Sequence, residues 1–194
     1  MSPTLRVVPL AEAGAAQQEA AAALLMRALA HAPGAWHDPA AARAEVRACL
    51  ELPERLALAA LDGDGALVGW IGAIRDSPHL WELHPLVVEP ARQRRGCGRL
   101  LVRALEAEAL AAGVGTIWLG TDDDFGGTSL FGRDLWPDPL LPLQRLVPTA
   151  RGHPCTFYRA CGYAVVGVLP DAGGPGRPDI LMARGLKPRL GGRG

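Results

Sequence analysis

The sequence predicts a single α/β domain. Strand-like apolar runs alternate with segments of helical spacing along most of the chain, and a polar, glycine-bearing turn joins one such run to an amphipathic helix near the middle. At 194 residues the chain is long enough for one sizeable core, and no linker argues for a second domain. Residues 1–185 are therefore expected to form the domain, with 121–152 as an insertion and 186–194 as a frayed tail.

Residues 5–10 (LRVVPL) read as a first strand. Residues 11–30 are Ala-rich with helical apolar spacing and read as a helix stopped by Pro33-Gly34. Asp38-Pro39 opens a second helix through residue 50, the aspartate as N-cap and the proline at the first helical position. Residues 56–61 and 66–74 are apolar runs joined by Asp62-Gly63-Asp64-Gly65, a hairpin signal. Residues 80–88 form the next strand. A polar stretch to Gly98 leads into a helix over 99–112, with Leu100, Leu101, Leu105 and Leu110 on its buried side and Gly113 as C-cap. Residues 116–120 (TIWLG) form a short buried strand. Residues 121–152, rich in Asp, Gly, Pro and Trp, resist regular assignment, although 137–146 could hold one helix. A short helix over 153–161 ends at Gly162, and strands over 163–169 and 179–183 close the pattern.

Composition excludes several classes. Hydrophobic residues make up 49% and charged residues 21%, and formal net charge is zero, so a global basic field for nucleic acid is missing. No apolar run approaches the roughly 20 residues of a membrane helix. The Ala/Leu-rich stretch 20–32 lacks a basic start and contains Arg27, so it is not expected to be a signal peptide. The expected location is the cytoplasm. Cys49, Cys97, Cys155 and Cys161 form no C-x-x-C pair and are expected as free thiols. No His/Cys cluster has metal-ligand spacing, so no metal is expected.

The turn Gln93-Arg94-Arg95-Gly96-Cys97-Gly98 follows Val87-Val88 and precedes the helix starting near Arg99. Strand, glycine turn and helix N-terminus together make an anion site, because turn amides point inward and the helix end adds partial positive charge. Glycines at 96 and 98 remove side chains where backbone must approach a ligand. Lys followed by Ser/Thr is missing, so this is not a Walker loop, and it is not the dinucleotide G-x-G-x-x-G. By itself, Q-x-x-G-x-G also fits a plain glycine-bearing loop. A second piece, Phe157-Tyr158-Arg159-Ala160-Cys161-Gly162-Tyr163, puts two aromatics on a short helix that feeds a strand. Tyr158 alone also fits a half-buried core aromatic.

In this order the two pieces resemble the GNAT superfamily of N-acetyltransferases. The resemblance implies a mixed, largely antiparallel central sheet, splayed to admit CoA, with helices on both faces. It implies acetyl-CoA as co-substrate, with the turn Gln93, Arg94, Arg95, Gly96, Cys97, Gly98 and Arg99 at the pyrophosphate. Val87 and Val88 would give backbone contacts, and Tyr158 would face the departing CoA thiolate. Acyl transfer to an amine needs no enzyme nucleophile. The protein must position both substrates, remove a proton, stabilise the carbonyl oxygen and quench the thiolate. The thiols are accordingly read as structural.

Residues 80–185 resemble more narrowly the aminoglycoside 6′-N-acetyltransferases with a long insertion after the fifth strand. The strings carrying this are Trp81-Glu82-Leu83-His84-Pro85-Leu86-Val87-Val88, Gly120-Thr121-Asp122-Asp123-Asp124 and Pro178-Asp179-Ile180. The resemblance implies a polycationic small-molecule acceptor and, as related enzymes are often dimers, a homodimer. Charge agrees: from residue 120 to 140 stand Asp122, Asp123, Asp124, Asp134 and Asp138 against Arg133, in an otherwise neutral chain. A solvated acidic loop is the other reading. Glu82 and His84 share a strand face and could accept the amine's proton, or could satisfy each other structurally. The candidate catalytic residues are Tyr158, Asp122, Glu82 and His84. The candidate acceptor-binding residues are Trp36, Glu82, Asp122, Asp123 and Asp138, with Trp36 equally at home in a core. Rivals with the same fold acetylate a polyamine, an amino acid or a protein amine, and a further rival is a non-catalytic CoA-binding module.

Overall fold

The structure, a computed structural model, describes residues 5–186. Residues 187–194, most of the expected tail, lie outside the described residues. The chain forms two compact units whose boundary falls inside one strand, between Ile117 and Trp118, with Leu186 returning to the first unit.

The first unit opens with β1 (Arg6–Pro9) and a short 3-10 turn over Leu10–Glu12. The sequence predicts helix from residue 11, but α1 runs Ala15–Ala28. Gly14 stops it from starting earlier, because its φ of 91° lies in the left-handed region. In α2 (Pro39–Glu51), Asp38 accepts a hydrogen bond from the Ala41 amide at 3.0 Å, with Pro39 in the first turn as expected. The strands β2 (Arg55–Leu61) and β3 (Leu67–Ile74) form the expected hairpin. Asp62 Oδ1 holds its turn by accepting from the amides of Asp64 and Ala66 at 3.1 and 3.0 Å. Then come β4 (Leu80–Val88) and α3 (Cys97–Ala111). Sheet order in this unit is β1-β2-β3-β4, every pair antiparallel.

Packing corrects the buried face of α3. Leu101, Leu105 and Ala109 repeat every fourth residue and are fully buried, whereas Leu100 and Leu110 are 36% and 50% exposed. The latter two sit a quarter-turn off that stripe. The core of this unit gathers Leu10, Leu24, Leu25, Trp70 and Val87. Buried Trp70 also donates its indole N–H to the Ala21 carbonyl at 3.1 Å, which pins α1 to β3.

The second unit carries most of β5 (Thr116–Asp122), then α4 (Leu140–Leu143), α5 (Cys155–Ala160), β6 (Ala164–Leu169) and β7 (Asp179–Gly185). Its strands run β5-β7-β6, with β6 and β7 antiparallel. The insertion folds back on itself. Thr128 bridges Pro148, Ser129 N–H donates to Val147 O at 2.9 Å, and Leu130 is fully buried. The helix expected over 137–146 shrinks to four residues between Pro139 and Gln144.

Candidate active site

The glycine turn sits where β4 hands over to α3. A 3-10 turn over Pro90–Arg92 breaks the strand direction, and Arg94 (φ 59°) and Gly96 (φ 91°) both take left-handed backbone. A Cβ on Gly96 would meet nothing within 4 Å, so conformation, not crowding, calls for glycine there. The helix begins two residues before the expected Arg99, at Cys97. The first N–H to find an intrahelical acceptor is that of Leu100, on Gly96 O. The amides of Cys97, Gly98 and Arg99 thus belong to the open first turn, where a phosphate is stabilised. Arg94, Arg95 and Arg99 are exposed around it. The Gln93 side-chain amide donates to Val88 O at 3.2 Å, tying the turn to the strand end. Val87 and Val88 themselves are buried. Cys97 turns inward, 2% exposed, and burial pushes its thiol up to about 11, so it is no nucleophile near neutral pH.

Upstream on β4, the pairing slips between Ile71 and Ala73, leaving an extra residue at His84–Pro85. Gly72 allows this: a Cβ there would overlap the His84 carbonyl. Glu82 and His84 share a face as expected, Oε1 to Nδ1 at 4.0 Å, their side chains 22% and 37% exposed. Half-buried Trp36 lies against the imidazole, ring centroids 5.5 Å apart. Burial lowers the histidine pKa, which favours the neutral ring, while nearby Glu45 raises it and Arg55 lowers it. Glu45 and Arg55 form a tight, largely buried ion pair that sequence reasoning did not single out. Their spacing carries no motif, and only the packing of α2 on β2 brings them together.

In the second unit, Asp122 ends β5 and is exposed. Burial raises its pKa, and Asp124 raises it further, against the opposing pull of His153 and Arg177. Asp123, expected to meet the acceptor, is corrected by the structure. It is 1% exposed, Oδ1 accepts from Gly127 N at 2.7 Å, and Oδ2 accepts from Thr128 N and Oγ1 at 2.8 and 2.7 Å. Its charge closes the loop after β5. Asp124 is likewise engaged, with Arg177 at 3.3 Å. Asp138 is exposed on the insertion, where its carboxylate accepts from the Leu141 amide at 3.4 Å ahead of α4. Alternation of exposed and inward positions could have separated Asp122 from Asp123, but not predicted the loop that absorbs Asp123.

His153 heads the short helix that the sequence predicts over 153–161. Its Nδ1 accepts from Cys155 N at 3.1 Å, so its Nε2 carries the proton and donates to Asp122 O at 3.1 Å. Burial lowers its pKa and keeps this neutral form. The ring thereby fixes the backbone at Asp122 to the start of α5. On that helix, half-buried Tyr158 packs edge-on against Phe157 and Tyr163, centroids 5.1 and 5.8 Å away. Burial, with a smaller push from Cys161, raises its hydroxyl far above the usual phenol range. Tyr158 therefore carries its proton at neutral pH. Cys155 and Cys161 are buried, free thiols.

A strand ending in a left-handed glycine turn, followed by a helix whose first-turn amides are open, is the equipment of a site for a phosphate-bearing ligand. The model of the acetyltransferase (GNAT) family matches residues 20–130. Solved structures agree. The chain is 38% identical, with TM-score 0.84, to an aminoglycoside 6′-N-acetyltransferase complexed with coenzyme A, covering 95% of this chain and 98% of that one. It is 38% identical, TM-score 0.82 and the same coverage, to the aminoglycoside 6′-N-acetyltransferase from Enterococcus faecium. To an aminoglycoside 6′-acetyltransferase type Ii it is 35% identical with TM-score 0.69, covering 95% and 99%. No curated protein matches the chain. The chain belongs to the GNAT acetyltransferase family and is an acetyl-CoA-dependent N-acetyltransferase. Among the described residues no helix is long and apolar enough to cross a membrane, and no group of three or more His, Cys, Asp or Glu could hold a metal ion.

Proposed function

We propose that this enzyme transfers acetyl from acetyl-CoA to the 6′-amine of an aminoglycoside, by direct attack in a ternary complex. The observation that supports this most is 38% identity over 95% of the chain to an enzyme of that activity. The exposed carboxylate of Asp122 and the half-buried one of Glu82 are consistent with a cationic acceptor. The reading takes residues 1–185 as one acetyltransferase domain acting in the cytoplasm.

In this reading the amides of Cys97, Gly98 and Arg99 and the surrounding arginines hold the CoA pyrophosphate, and the β4 backbone at Val87 and Val88 receives the pantetheine arm. Glu82 and Asp122 orient the acceptor ammonium, and one of them or neutral His84 removes its proton, directly or through water. The free amine attacks the thioester carbonyl carbon. The N–C bond forms, the C–S bond breaks, and the thiolate takes the Tyr158 proton; the surplus proton left on the attacking nitrogen restores the tyrosine hydroxyl, directly or through water, giving CoA-SH and the N-acetylated product. Trp36 offers an apolar wall beside His84.

Antibiotic susceptibility of cells expressing the chain tests the proposal. Expected is protection against drugs with a 6′-amine and none against congeners with a 6′-hydroxyl. Equal susceptibility to both, with an active protein present, overturns it and points to another amine.

A further inference from the structure

Asp179 opens β7, on the strand hydrogen-bonded beside β5. Its carboxylate lies over Gly120, and a Cβ built on that glycine would overlap it. The missing side chain is what makes room. Amides of Thr121 and Ile180 hold the carboxylate in place, yet its Oδ1 is shut off from solvent and has no hydrogen-bond partner among the described residues. The residue as a whole is only half-buried, and Gly120 beneath it is exposed.

The charge that acts on Asp179 is another carboxylate, Asp122. His153 and Arg177 act on Asp122, but no basic group is among the influences on Asp179. The Arg177 guanidinium is on Asp124, and His153 is held neutral by the hydrogen bond its Nδ1 accepts. Two neighbouring carboxylates, one with an unpartnered oxygen, are costly without a cation. In an N-acetyltransferase the cation that arrives is the acceptor's own ammonium. From the orphaned oxygen, the Gly120 apposition and the neighbouring Asp122, we infer that Asp179 binds an acceptor ammonium jointly with Asp122. The raised pKa of Asp179, about 6, driven first by burial and then by Asp122, agrees with a carboxylate lacking its counter-ion.

This rests on the reading of a polycationic acceptor, so the test is run on a panel. The full chain, Asp179→Asn and Gly120→Ala are assayed at saturating acetyl-CoA with kanamycin and with spermidine, and kinetics are compared on whichever the wild type turns over. Expected for Asp179→Asn is a rise in acceptor KM of roughly 10- to 100-fold, the span of one charged hydrogen bond, with acetyl-CoA KM unchanged. Gly120→Ala keeps every charge but displaces the carboxylate, and should raise acceptor KM in the same direction. An acceptor KM within about twofold of wild type in Asp179→Asn, or acetyl-CoA KM rising in step, overturns the inference. Wild-type turnover of spermidine but not kanamycin would instead sink the aminoglycoside reading, leaving the Asp179 comparison to be read on spermidine.

Discussion

Asp123→Asn separates a carboxylate that builds the loop from one that meets substrate. The native side chain accepts three buried hydrogen bonds, at 2.7, 2.8 and 2.7 Å. An amide of the same shape turns an NH₂ group toward at least one of those donors. That change abolishes one charge-assisted bond, worth about 1.5–3 kcal/mol, weakens the other two, and strands a buried N–H at about 1–3 kcal/mol. These overlap, so the net loss is about 2–4 kcal/mol. At roughly 2–4 °C per kcal/mol for a chain of this size, Tm should fall by about 4–16 °C. Thermal unfolding followed by circular dichroism reads this. Amide exchange should localise the loosening to Gly127 and Thr128, and Thr128→Val, which removes one donor, should show a smaller loss. An unchanged Tm with a tenfold higher acceptor KM would refute the structural role and return Asp123 to the acceptor site.

Tyr158→Phe should lower kcat by about 10²-fold or more while leaving Tm and acetyl-CoA KM near wild type, because only the proton donor is lost; steady-state kinetics with unchanged kcat would remove Tyr158 from the chemistry. Gly96→Ala should raise the Kd for CoA and lower Tm by a few degrees, since a φ of 91° strains alanine by about 1–2 kcal/mol even though its Cβ meets nothing; isothermal titration with CoA and a melting curve check both. Asp179 titrates at about 6 against an ordinary 3.8, so the folded state holds its proton more tightly than the unfolded one. Its stabilising effect is complete below the ordinary value and is lost as pH rises through about 6, by at most roughly 3 kcal/mol and less for a partly exposed group. Relative to wild type, Asp179→Asn should thus gain in Tm between pH 4 and 6 and hold that gain above; parallel Tm–pH curves would contradict the cause assigned, burial beside Asp122.

Local signals placed most elements. Asp38-Pro39, the Asp62–Gly65 turn and the 80–88 run carry their own capping, turn and alternation chemistry, and the observed α2, hairpin and β4 follow them. The errors arose where one residue's conformation overrode a favourable composition. Gly14 truncates an Ala-rich helix, and a left-handed Gly96 lets α3 start at Cys97. The turn over 93–99 was legible because neighbours in sequence build it. Contacts between residues distant in sequence were not legible. His153 on the Asp122 carbonyl, Asp179 over Gly120 and the Glu45–Arg55 pair have no local pattern. The run Asp122-Asp123-Asp124 looked like one acidic surface, yet Asp123 and Asp124 are bound inside the unit and leave Asp122 exposed.

The donor is acetyl-CoA, and the acceptor we propose is a 6′-amine. Thiol release by the purified chain, with kanamycin and with a 6′-hydroxy congener, followed by NMR of the product, tests it most directly. Expected are one CoA released per kanamycin consumed, the acetyl group on the 6′-nitrogen, and no turnover of the congener. Acetylation of the congener, or of kanamycin at another position, would contradict it.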